Sequence, residues 1–182
     1  IHFSNRLKTI GSYASSNCTG LTELIIPDNI ISLGNGAFSG CSNITSVTMP
    51  VDLDSSGYTN NDGATITSFN GCTNVKTIHY TYGQTGDMSE KTNTYYQHSS
   101  FSQIYTLEAI NKESLESVTF DEGITTIMID AFVDCTALTH VDIPSTVTYI
   151  GNNAFKNCTA LIDPIIPAGL TYLGSGAFYN CV

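Results

Sequence analysis

Six cysteines and four histidines are the residues of this chain best suited to metal or nucleophilic chemistry. Zinc sites need Cys and His in closely spaced sets, and a nucleophilic Cys needs an electropositive, partly exposed niche. The cysteines are Cys18, Cys41, Cys72, Cys135, Cys158 and Cys181, and their numbers differ in turn by 23, 31, 63, 23 and 23. This spacing fits neither kind of site, so we expect no enzyme and no cofactor.

The regular spacing indicates an internal repeat with a period of 23. Its unit is clearest at 138–158, LTHVDIPSTVTYIGNNAFKNC, where Leu138, Val141 and Ile143 alternate with polar residues as in a half-buried strand. Pro144 then ends the strand, and a second apolar pair, a Gly that permits a turn and an Ala-Phe pair follow. A single unit cannot bury its apolar face, so neighbouring units must stack.

A further copy is hidden in the longest gap between cysteines. Counting back by 23 from Cys135 reaches Lys112, and Asn111 precedes it. The residue before the Cys position is Gly, Asn or Asp in every copy, and these types tolerate a left-handed backbone. The gaps then become 23, 31, 40, 23, 23 and 23, which gives about seven copies, two of them with insertions.

The pattern Ile-Pro-x-x-[Val/Leu]-Thr-x-Ile-Gly-x-x-Ala-Phe-x-x-Cys-x-x-Leu-x-x-Val resembles the BspA-like class of leucine-rich repeats. The resemblance implies a right-handed solenoid, a β-dominated α/β fold with short strands and short helical or irregular segments between them. It also implies a secreted or cell-surface protein that adheres to or binds a partner and catalyses nothing. We interpret 1–182 as a single repeat array, a piece of a longer one, with insertions at about 51–63 and 82–100.

The repeat also decides between two interpretations of the cysteines. Six cysteines in a secreted chain suggest three disulfides. Stacking, however, places each Cys at the same point of its coil, about 4.8 Å from its neighbour, with side chains that run parallel and do not converge. We therefore expect a column of free, buried thiols beside a column of stacked Phe rings.

Composition limits the partners. With 16 acidic and 6 basic residues the chain carries a net charge of −10, which disfavours nucleic acid and anionic membranes. No apolar run approaches the ~18 residues that a membrane span needs, so we predict no membrane insertion.

The two insertions are the predicted recognition site. Both leave the repeat after its first strand, on adjacent copies, and Tyr-rich loops on a rigid scaffold are common binding devices. The candidate binding residues are Tyr58, Tyr82, Tyr95, Tyr96, Asp87 and Glu90. The alternative is a solvated surface excursion without function.

The first insertion also opens like a calcium-binding loop, with Asp52, Asp54 and Ser56 at alternate positions. Its twelfth position is Gly63, where such a loop needs a bidentate Glu, and the same residue types make ordinary turns. We therefore predict no metal, with calcium at these three residues as the alternative.

The exposed strand face is the other candidate surface. Its predicted residues alternate with the buried ones, and they are Glu23, Ile25, Ser46, Thr48, Thr77, His79, Ser117, Thr119, His140, Asp142, Asp163 and Ile165. This face is small, polar and poor in aromatic or Arg anchors, so we expect a secondary contact surface.

The function predicted from these features is non-catalytic binding or adhesion outside the cell or at its surface. The partner would be a protein or glycan, of the host matrix or of another cell surface. The alternative is a passive spacer or stalk within a larger surface protein. A binder should display clustered aromatic residues, whereas a spacer should be uniformly polar.

Overall fold

The computed structural model describes residues 1–51, 53, 58–59, 65–82 and 111–182, with 58–59 and 65–66 described as backbone only. Its strands are β1 (Thr9–Ile10), β2 (Glu23–Ile25), β3 (Ser32–Leu33), β4 (Ser46–Pro50), β5 (Tyr58–Thr59), β6 (Thr65–Ile66), β7 (Thr77–Thr81), β8 (Ser117–Phe120), β9 (Thr126–Ile127), β10 (His140–Asp142), β11 (Tyr149–Ile150) and β12 (Tyr172–Leu173). No helix occurs among these described residues. The segments between strands, expected to be short helical or irregular, are turns and irregular backbone.

The main sheet is parallel and has the strand order β2-β4-β7-β8-β10. Its register places Leu24 beside Val47, Val47 beside Ile78, Ile78 beside Val118 and Val118 beside Val141. Paired positions on adjacent strands therefore differ in number by 23, 31, 40 and 23. These offsets equal the cysteine gaps once Lys112 is included, and they confirm the hidden copy.

A second set of short parallel strands is interrupted where the insertions occur. It consists of a pair, β1-β3, and a trio, β9-β11-β12. Between them β5 and β6 pair with each other, antiparallel, with Tyr58 opposite Ile66. The sequence predicts Ile66 as the counterpart of Ile10 and Leu33. This prediction is wrong, because Ile66 lies six residues before Cys72 whereas the others lie eight before their cysteines.

The strand expected around Asp163 and Ile165 does not form. The backbone at Asp163 is left-handed, with φ of 49°, so the chain leaves the extended conformation there. Pro164 occupies the position of Val141 and has no N–H for a strand ladder. Ile165 is 81% exposed beyond the end of the main sheet.

The core is a stack of repeated apolar positions, and the predicted Phe column is confirmed. The Phe155 ring stacks on Phe132 at 5.2 Å and on Phe178 at 5.0 Å, with interplanar angles of 12° and 9°. Phe38 stacks in the same way on Phe69, at 5.6 Å. Each ring thus covers the next, and no copy has a core of its own.

The left-handed column before each Cys is confirmed at six positions: Asn17, Gly40, Gly71, Asp134, Asn157 and Asn180. A second left-handed column, four residues earlier, was not anticipated and contains Tyr13, Gly36, Asp130, Asn153 and Gly176. In the five copies that have both, these two left-handed residues turn the chain back toward the next strand. The residue types in the second column are mixed, which hides it in the sequence.

The recurrent Gly of the unit has a different role from the predicted turn. Gly151 lacks a left-handed φ, but its N–H donates to the Ile127 carbonyl at 2.7 Å, in the preceding coil. A Cβ at Gly151 would collide with the backbone nitrogen of Ile129. Gly34 and Gly174 each make the same contacts with the coil that precedes them. Glycine is therefore needed because the coils approach backbone to backbone.

We expect Gly151→Ala to lower the free energy of unfolding by about 3 kcal/mol, because the added methyl group forces two coils apart. Gly11 is the matched control: it has the same place in the first copy, but a Cβ there meets nothing within 4 Å. Gly11→Ala should be neutral or stabilise slightly. Urea unfolding of both variants measures the difference, and equal effects would contradict this account of the Gly position.

Candidate functional site

β4 and β7 precede the two predicted insertions, and these strands end beside each other in the main sheet. β4 and β7 are five residues long, and their last residues pair, Met49 with Tyr80 and Pro50 with Thr81. The Val51 N–H donates to the Thr81 carbonyl at 2.9 Å and continues the ladder. The two chain segments therefore start side by side at one edge of a rigid sheet.

Val51 and Leu53 lie in the segment predicted as the first insertion, but both still follow the repeat. Val51 and Leu53 are buried in the core. The Leu53 N–H donates to the Pro50 carbonyl, just as the Ile30 N–H donates to the Pro27 carbonyl in the preceding copy. Leu53 thus occupies the position of Ile30.

A polar cluster holds the chain where it leaves β7 toward the second predicted insertion. The two residues at this point, Thr81 and Tyr82, are called here the root of the second insertion. The two side-chain nitrogens of His79 lie 2.7 Å from the Thr119 hydroxyl, through Nδ1, and 3.1 Å from Asp121 Oδ1, through Nε2. The other Asp121 oxygen, Oδ2, accepts a hydrogen bond from the Tyr82 N–H at 3.3 Å. One carboxylate therefore links the middle of β7 to the first residue beyond it.

Two further contacts hold the same root. The Thr81 hydroxyl donates to Asp28 Oδ1 at 2.5 Å, from the side opposite Asp121. The Tyr82 ring lies against Gly123, where a Cβ would come within 2.6 Å of the ring. Gly123 has a φ of 99°, a backbone conformation that other residues rarely adopt. Because Gly123 has no side chain, the Tyr82 ring can pack directly against its backbone, and this contact is called here the seat of the ring. Tyr82 remains 40% exposed.

On all five strands of the main sheet, the residues predicted to alternate with the buried ones lie on the outward face. Glu23, Thr77, His140 and Asp142 are exposed, while Val141 between the last two is buried. One row across the sheet reads Ile25, Thr48, His79, Thr119 and Asp142. Just before β7 and β8 begin, the Lys76 Nζ pairs with Glu116 Oε1 at 2.8 Å. The described part of this face is rich in hydroxyl groups, and Lys76 is paired.

Of the predicted binding residues, the structure places Tyr82, at the root just described. Tyr58 lies on β5, where only its backbone is described. Tyr95, Tyr96, Asp87 and Glu90 lie outside the described residues, as do the calcium candidates Asp52, Asp54 and Ser56. These assignments stay predictions.

Sequence reasoning missed Asp121, Asp28 and Gly123, all of which contact the root. Spacing gives the position of Asp121 alone, through the offset of 40 between these two copies. That offset places Asp121 beside Thr81, since Phe120 pairs with Tyr80.

The predicted thiol column is confirmed. All six cysteines are free, the four inner ones are buried, and Cys18 and Cys181 are half-buried. The Cys72 and Cys158 thiols donate to the carbonyls of Phe38 and Phe132 in the preceding coils, each at 3.2 Å. Burial raises the pKa of Cys72 and of Cys135 to about 12, and it raises the pKa of Cys158 as well. These thiols stay protonated, so they are poor nucleophiles.

Within the described ranges, no three His, Cys, Asp or Glu side chains form a group that could hold a metal ion. The same part of the chain contains no helix long and apolar enough to cross a membrane.

Stacked parallel strands joined by turns, with apolar residues and cysteines in register, define a leucine-rich repeat protein. More specifically, the chain belongs to the BspA type leucine rich repeat region family, whose model matches residues 1–82 and 98–182 in six copies. The spacing of the sequence predicts about seven copies, so the two counts differ by one.

Solved structures of similar proteins include two from bacteria. A leucine-rich repeat protein from Eubacterium ventriosum is 22% identical over 88% of this chain and 43% of its own, with a TM-score of 0.54. A leucine rich cell surface protein from Faecalibacterium prausnitzii is 27% identical over 96% of this chain and 41% of its own, with a TM-score of 0.47. This chain spans less than half the length of either. No curated protein matches it.

Proposed function

We propose that this chain is a non-catalytic binding module, outside the cell or at its surface, that recognises a protein or glycan partner. The observation that carries the proposal is the pairing of β4 with β7 as far as Pro50 and Thr81, just before the two predicted insertions. A rigid parallel sheet supports both roots, and loops held on rigid scaffolds commonly carry binding residues. Membership of a leucine-rich repeat family supports the same conclusion, because stacked repeats offer extended binding surfaces.

The site favours a partner that is neutral or basic. The chain carries a net charge of −10, and Asp28 and Asp121 flank the root of the second insertion. Acidic partners, nucleic acid among them, would be repelled. Host-matrix proteins and the glycans of another cell surface are the partners that we propose.

The experiment presents the intact chain to immobilised matrix proteins and to an array of glycans over a range of concentrations. We expect saturable attachment to at least one of them, with an apparent Kd of about 1–100 μM, which corresponds to a modest binding free energy. A passive spacer would bind none of them above the level of an unrelated acidic protein. That result would replace the binding proposal with the spacer function.

A further inference from the structure

The root of the second insertion combines an aromatic ring, a fixed carboxylate and hydroxyl groups within one small area. These groups are the Tyr82 ring, the Asp121 carboxylate, the Thr119 hydroxyl and the His79 imidazole. We propose that this set, called here the root site, binds a neutral sugar residue of a glycan. The inference rests on the proposed binding function, and it names the class of ligand bound at the same edge of the main sheet, where β4 and β7 end.

The ring of Tyr82 is suited to one face of a sugar. One side of the ring is seated on Gly123, yet 40% of the residue is exposed. A pyranose ring has a face of C–H bonds, and the electron-rich face of an aromatic ring attracts such polarised hydrogens. Because the seat fixes the ring beforehand, little side-chain entropy is lost on binding.

The carboxylate of Asp121 is suited to the hydroxyl rim of the same sugar. Its two oxygens each face one protein nitrogen, His79 Nε2 at 3.1 Å and the Tyr82 N–H at 3.3 Å. An ionised carboxylate accepts about four hydrogen bonds, so capacity remains for two adjacent sugar hydroxyls. The side chain is about half exposed, which leaves those positions accessible.

The imidazole of His79 orders the site. A carboxylate can only accept, so the nitrogen facing Asp121, Nε2, is the one that favours the proton in the neutral ring. Nδ1 then accepts from the Thr119 hydroxyl at 2.7 Å. The chain Thr119–His79–Asp121 therefore holds the carboxylate at one angle relative to the Tyr82 ring.

The charge and composition of the face favour a neutral glycan over a protein or an anionic sugar. Asp121 and Asp142 lie on this face, Asp28 reaches it through Thr81, and Lys76 is paired with Glu116. Sialylated or sulfated sugars would be repelled by the carboxylates. Protein hot spots cluster several Trp, Tyr or Arg side chains, whereas the described part of this face has Tyr82 set among hydroxyl groups.

The test is a nuclear magnetic resonance titration of the intact chain that follows the His79 ring protons and the Tyr82 amide. The probes are lactose, an N-acetylglucosamine trimer and sialyllactose. We expect a neutral probe to shift both signals saturably with a Kd of about 1 mM, as a site with few contacts should. Sialyllactose should bind more weakly by about tenfold at low salt.

Four variants show whether the root site itself holds the sugar. Tyr82→Ala and Asp121→Asn should each weaken neutral-sugar binding by about tenfold or more, and Tyr82→Phe should restore it because the ring is kept. Tyr172→Ala is the matched control, since Tyr172 is 44% exposed but lies on the short-strand side. It should leave the affinity unchanged.

Failure of this inference is distinguishable from failure of the proposed function. If the chain attaches to matrix proteins while no neutral sugar moves the His79 and Tyr82 signals, the root site is not a sugar site and the binding function stands. Preferred binding of sialyllactose would also overturn the inference. If neither proteins nor sugars bind, both proposals fall.

Discussion

The free energy of unfolding is expected to fall steeply above pH 9, and the chain should be unfolded by about pH 12. The cause is the column of buried thiols. Burial raises the pKa of Cys72 and of Cys135 from the ordinary value of 9.0 to about 12. Between these values the unfolded chain releases the protons that the folded chain retains. Stability is therefore unaffected by these thiols below pH 9 and is lost as the pH rises through this window.

The slope has a predictable size. In this pH window each such thiol lowers the free energy of unfolding by about 1.4 kcal/mol per pH unit, so Cys72 and Cys135 together lower it by about 3 kcal/mol per unit. A typical domain has a total free energy of unfolding of about 5–15 kcal/mol. Burial also raises the pKa of Cys158 and of Tyr80, which steepens the loss.

Urea unfolding at pH values from 7 to 11, under reducing conditions, measures this slope. Cys72→Ala should make it shallower by about 1.4 kcal/mol per pH unit. Val47→Ala, a buried change without a titrating group, should lower stability by the same amount at every pH. A slope that Cys72→Ala leaves unchanged would show that the thiols do not control alkaline unfolding.

The main sheet could be predicted from the sequence because its signal repeats. Strand phase follows from alternation within each copy, as with His140, Val141 and Asp142, and register follows from the spacing between copies. Even the copy that lacks its Cys can be located, because its Asn, Leu and Val keep their places around Lys112. The predictions are wrong where one copy departs from the pattern. Pro164 and its left-handed neighbour remove a strand, and β6, in the copy with the shortened approach to Cys72, pairs with β5 and not with β3.

The contacts of the root could not be predicted in the same way. Asp121 touches His79 and Tyr82, which lie in a different copy, about 40 residues away. A repeat pattern averages over copies, whereas this cluster is built from residues particular to two of them. The seat of Tyr82 likewise depends on the unusual φ of Gly123, which no spacing indicates. Tyr82 itself stands out in the sequence because it begins an insertion.

The second large effect expected is loss of attachment when the second insertion is removed. Deleting 84–99 takes away Tyr95, Tyr96, Asp87 and Glu90 but leaves the root at Tyr82. Shortening a loop changes the closure entropy only slightly, so the fold should be kept. Attachment to matrix proteins and glycans should fall by at least about tenfold if these side chains carry recognition.

A second variant separates side chains from loop length. In it the same residues are replaced by a Gly/Ser segment of equal length. Both variants must first match the intact chain in circular dichroism and in urea midpoint. The equal-length variant should lose attachment as the deletion does, because the tyrosines and carboxylates are gone from both.

Attachment of these matched chains to the same immobilised proteins and glycans is the most direct test of recognition at the insertion edge. We predict saturable attachment by the intact chain and loss by about tenfold or more in both variants. Attachment at full strength by both folded variants would contradict the account and place the recognition surface elsewhere on the repeat array.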